Sequence, residues 1–203
     1  MEYLTTQERL SSIAKKLGWG YILIHAHINL GTLDILPDWL GYLLIYQAIC
    51  LLEDEEESAG LLKPMGIGLG AWAGICWVMK LFGVSVNMYL ITLIVSVISL
   101  YFHFQLLTNM AALAEGYDCP QSGTLLKLRN VRVVMETISV ILLSVLAGTG
   151  EEWAQWMVIV LAFVQLIVMV VLMFQLFDLS RTFRDMEIIE GTEEQSEDEG
   201  HSH

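Results

Sequence analysis

Two imidazoles, an amide and two carboxylates fall within fourteen residues near the start of the chain: His25, His27, Asn29, Asp34 and Asp38. Groups of these types can relay protons or hold a cation. His25 and Asn29 are four residues apart and share a helix face. His27 points nearly the opposite way, with Gly31 and Asp34 on its side if the helix runs on. The run Asp34-Ile35-Leu36-Pro37-Asp38 also has an architectural reading. Asp34 suits the N-cap of a following helix, Pro37 its first turn, and Asp38 the positive end of its dipole.

Further along, Arg132 and Glu136 are spaced to pair on one helix face, with Arg132 able to snorkel to the interface and Glu136 deeper. Glu151-Glu152 resembles the start of the E-E-x-x-x-R motif of intramembrane prenyl-endopeptidases. Trp156 stands where that motif needs Arg, and His25, His27 and His103 all precede the pair, so that class is rejected. No zinc, nucleotide or nucleophile-elbow fingerprint occurs, so no catalytic residue, cofactor or metal site is expected. The separated Cys50, Cys76 and Cys119 form no CxxC pair and read as core-filling thiols. The paired His201 and His203 lie in an acidic tail that reads as solvated.

The elements that must carry these groups follow from composition. Of 203 residues, 55% are hydrophobic and 16% charged, and the formal net charge is −13. Soluble domains carry about 25% charged residues, so the chain reads as an integral membrane protein. The acid excess argues against nucleic acid as a partner. A crossing helix needs about 20 mostly apolar residues. Six segments approach this: 17–33, 35–52, 61–79, 84–107, 131–148 and 153–177. The expected fold is an all-α polytopic bundle of about six transmembrane helices, preceded by a cytoplasmic segment 1–16. The tail 178–203 holds nine acids and reads as disordered from about 191.

With six crossings and a cytoplasmic N-terminus, nine of the ten Lys and Arg lie inside and only Lys80 outside. Aromatic-Gln pairs end the even-numbered segments at Tyr46-Gln47, Phe104-Gln105 and Phe174-Gln175, a pattern consistent with three helical hairpins. In the third segment Gly66, Gly70 and Gly74 form a smooth stripe suited to close helix packing. Such a stripe could serve packing within the chain, self-association, or docking to another membrane protein.

The stretch Asp34-Ile35-Leu36-Pro37-Asp38-Trp39-Leu40-Gly41-Tyr42 resembles the D-I-L-P-D-x-x-G-Y signature of a group of small polytopic membrane proteins of Gram-positive bacteria. The resemblance covers about residues 17–52 and carries no activity with it. It implies a multi-pass protein of the bacterial cell membrane. The expected function is a non-enzymatic, transporter-like or accessory subunit with a polar site at the outer end of the first hairpin. The rivals are an intramembrane enzyme using His and Asp of that hairpin, and a structural partner in a larger complex.

Overall fold

The computed structural model describes residues 5–25, 29–30, 33–34, 37–84, 89–146 and 152–200. Helix α1 spans Thr6–His25 and α2 Asp38–Leu52. A 3-10 turn, Glu57–Leu62, leads into α3, Lys63–Leu81. Then come α4, Tyr89–Gly116, α5, Ser122–Leu146, and α6, Glu152–Gly200. The chain is thus all-α among the described residues, apart from one small pairing. Strands β1 (Asn29–Leu30) and β2 (Leu33–Asp34) lie antiparallel, with Asn29 opposite Asp34 and Leu30 opposite Leu33.

Four boundaries differ from expectation. Helix α1 begins near Thr5 rather than Leu17, because Thr5 and Glu8 form a capping box. The Glu8 N–H donates to Thr5 Oγ1 at 3.2 Å and the Thr5 N–H to Glu8 Oε2 at 3.1 Å. Asp34 does not cap α2. That helix starts at Asp38 with Pro37 at its N-cap, extended at φ −69°, ψ 130°, and Asp34 lies in β2. A residue preceding proline is pushed away from helical conformation, which keeps the helix from starting earlier. The segment 108–130 between the fourth and fifth apolar segments is mostly helical. Helix α4 runs to Gly116 and α5 starts at Ser122, so the α4–α5 hairpin is extended by helix on both sides. The tail also continues α6 to Gly200, past residue 191, in a stretch rich in the helix-former Glu.

Among the described residues three helical segments, rather than six, are individually long and apolar enough to cross a membrane: Glu57–Leu81, Leu90–Gly116 and Trp156–Met186. Helix α2 has 15 residues, about 22 Å at 1.5 Å per residue, short of the ~30 Å hydrocarbon core. Helix α1 carries Glu8, Arg9, Lys15 and Lys16, and α5 carries Lys127, Arg129, Arg132 and Glu136. These three are held by packing. Helix α1 packs on α2 and α6, α2 on α3, and α5 on α4 and α6, while α3 and α4 touch sparsely.

The buried core gathers Leu10, Ile13, Leu17, Ile45, Ile49 and Leu176 with their neighbours. Much of the outer surface of α4 and α6 is apolar and exposed, as at Ile94, Phe163 and Phe174, which suits lipid contact. Polar contacts tie α1, the turn after α2, the start of α3, the α4–α5 turn and α6 together at one end. Arg9 pairs with Glu55, and with Asp54 at 3.7 Å. Lys63 pairs with Glu53, and Tyr117 donates to Glu55 at 3.3 Å. The Ser11 and Ser180 hydroxyls meet at 2.9 Å, and Gln121 donates to Asp178 at 2.7 Å. Glu53, Asp54 and Glu55 of the acidic run after α2 are therefore part of this clasp. In the nearby turn Cys119 is buried, and that burial, followed by the Asp118 carboxylate, pushes its thiol pKa up.

Candidate functional site

The opposite end of the bundle starts from the α1–α2 crossing. There Gly20 and Gly41 bring two backbones into contact. A Cβ on Gly41 would lie 2.6 Å from the Gly20 carbonyl oxygen and 3.0 Å from the Ile24 nitrogen. A Cβ on Gly20 would lie 2.6 Å from Ile45 Cγ1. The next residue, Tyr42, packs its Cβ 3.2 Å from where a Cβ on Gly70 would sit. Trp39 covers Gly74, and Phe102 covers Gly66, at 3.8 and 3.5 Å by the same measure. The glycine stripe of α3 is thus filled from within by α2 and α4. Gly68, off the stripe, has nothing within 4 Å. The Gly-Tyr pair of the motif therefore has a physical meaning: Gly41 admits α1, and Tyr42 fills the groove of α3.

Beside this crossing, α2, α3, α4 and α5 surround a cavity of about 480 Å³. The sparse contact between α3 and α4 leaves room for it. Its wall includes the carboxyl-bearing residues Asp38 and Glu136, the rings of Tyr42, Trp72 and Trp77, and Lys80. Cys76, Ser96, Ser99 and Thr137 add smaller polar groups.

Behind the wall runs a buried polar chain. The Tyr21 hydroxyl is 3.1 Å from His103 Nδ1, and His103 packs against the rings of Tyr42 and Phe102. The Arg132 guanidinium stands 5.2 Å from the centre of the Tyr21 ring. Its Nη1 donates to Met169 Sδ at 3.3 Å, and its Nη2 is 3.6 Å from Glu136 Oε1. Arg132 is only 5% exposed, so it does not snorkel outward; its length is spent inside the bundle. Glu136 Oε2 is buried without a hydrogen-bond partner among the described residues.

Of the expected polar site, Asp38 lies in the cavity wall. His25 closes α1, with Nδ1 3.0 Å from the Tyr21 carbonyl oxygen. Asn29 and Asp34 are placed by backbone only, opposite each other in β1 and β2, and His27 lies outside the described residues. The structure joins Asp38 instead to Glu136, which the sequence offers as a separate feature. Tyr42, Trp72, Cys76 and Ser99 are additions. One signal for them was present: Ser96, Ser99 and His103 recur at i, i+3 and i+7 and mark one polar face of α4.

Among the described residues no group of three or more His, Cys, Asp or Glu could hold a metal ion. The lining combines two carboxyl-bearing residues with hydroxyl-bearing and aromatic ones. Compared with known proteins, the chain matches no family model, no curated protein and no solved structure.

Proposed function

We propose that this is a non-enzymatic, transporter-like protein of the bacterial cell membrane that takes a small solute into the cavity between α2 and α5. The observation that carries the reading is a cavity of about 480 Å³ with Asp38 and Glu136 both among its lining residues. Solute sites are concave and mostly apolar, with a few placed polar groups, and carboxylates at membrane depth are costly unless they serve a site. The motif resemblance supports a bacterial source. The distribution of Lys and Arg supports six crossings with both termini cytoplasmic. In that topology α1, α2 and α5 cross packed against the three apolar spans, and the cavity faces outward.

Cysteine accessibility tests this. In cells expressing a Cys50→Ser, Cys119→Ser variant, a membrane-impermeant sulfonated maleimide should label Cys76 from outside. Adding Ala73→Trp, which fills the cavity, should abolish that labelling. A single cysteine placed at exposed Lys127 should react only after the cells are opened. Outside labelling at position 127 would overturn the orientation. A Cys76 that stays unreactive in opened cells would remove the water-filled cavity.

A further inference from the structure

We infer that the cavity's ligand is a protonated amine with an apolar body, an inference that rests on the solute-site reading above. The first argument is the orphaned acceptor. Glu136 turns Oε1 toward Arg132 at 3.6 Å, too long for a hydrogen bond. Its Oε2 is buried with no partner among the described residues. That oxygen has almost no accessible surface, but Glu136 lines the cavity and its side chain is 24% exposed. A rotation that brings the carboxylate to the cavity would let a ligand N–H donor satisfy the acceptor and recover the free energy of leaving it unpaired. An anion brought there would meet a like charge instead.

The second argument is the balance of charge in the wall. Arg132 lies behind the wall and offsets part of the Glu136 charge. The Asp38 carboxylate, nearly a hundred positions earlier in the chain, lines the same space. Among the described residues Lys80 is the only basic one in the lining, and it is exposed near the end of α3, where water and salt screen it.

The third argument is the aromatic lining. Trp72, Trp77 and Tyr42 offer ring faces that attract a cation and cover hydrocarbon. A volume of about 480 Å³ falls within the range of about 300–1,000 Å³ that small-molecule sites occupy. A bare metal ion would leave most of that space unfilled.

The test compares three probes of similar size on the purified full-length protein in detergent micelles, by calorimetry: 2-phenylethylamine, 2-phenylethanol and 3-phenylpropionate. The amine should bind about tenfold or more tighter than the alcohol, the effect of one charge-assisted hydrogen bond. The acid should not bind, and Ala73→Trp should remove the amine signal, which separates the cavity from uptake into micelles. Glu136→Gln should weaken the amine far more than the alcohol and close most of the gap between them. If that variant does not fold, the comparison on the unmodified protein decides. Equal binding of amine and alcohol, or tighter binding of the acid, would overturn the amine assignment and leave the cavity as a solute site. Binding of no probe above the Ala73→Trp background would overturn both.

Discussion

Replacing Gly41 by alanine should force α1 and α2 apart, and the cost follows from the atoms in the way. The added Cβ would sit 2.6 Å from the Gly20 carbonyl oxygen, 2.6 Å from Ile24 Cγ1 and 3.0 Å from the Ile24 nitrogen. Comfortable carbon contacts are about 3.5–4.0 Å. The Ile24 side chain can rotate aside, but the two backbone atoms cannot, so the helices must separate by several tenths of an ångström or more. Overpacking of this kind costs about 1–3 kcal/mol, and rigid obstacles place it at the upper end. Alanine returns about 1 kcal/mol of helix propensity, leaving a net loss of about 2 kcal/mol. Gly68→Ala is the matched control: nothing lies within 4 Å of its Cβ, so only the propensity gain of about 1 kcal/mol applies. Equilibrium unfolding in mixed micelles with increasing SDS, followed by circular dichroism, should separate the two variants by about 3 kcal/mol. A Gly41→Ala protein as stable as Gly68→Ala would refute the close crossing, and with it the placement of Tyr42 against α3.

Two further outcomes follow from the buried groups. Arg132→Met should destabilise the protein by about 3 kcal/mol, because it leaves the Glu136 carboxylate without its counter-charge. Arg132→Met with Glu136→Gln should recover most of that loss in the same unfolding assay; equal losses would show that the pair does not act as a unit. Cys119, whose pKa is raised by burial, should alkylate at pH 8 far more slowly than a free thiol. Because its proton is held more tightly in the folded state, its contribution to stability is full below the unfolded thiol's pKa of about 8.5 and is lost as pH rises above it. Folded-state alkylation as fast as in SDS would contradict this.

Composition alone carries the class of this protein. A chain with this apolar content and so few charges must keep its backbone hydrogen bonds internal, which in a bilayer means helices or a closed barrel. The long apolar runs of α3, α4 and α6 were legible for that reason, and so was the Arg132–Glu136 pair, because i,i+4 spacing is local. The ends of α1 and α2 were less so. Hydropathy marks where a segment is apolar, not where a helix begins, and α1 starts on a charged, capped turn that hydropathy treats as a tail. The glycine stripe was visible as a pattern, yet Gly20 stands outside any stripe, and its role exists only opposite Gly41. The cavity lay furthest from view. Asp38, Trp72, Ser99 and Glu136 come from four different helices, and periodicity reports which face of a helix is unusual but not which faces meet. That is settled by how closely backbones can approach: tightly at Gly20–Gly41 and across the α3 stripe, loosely between α3 and α4. The loose side becomes the space into which the carboxylates open.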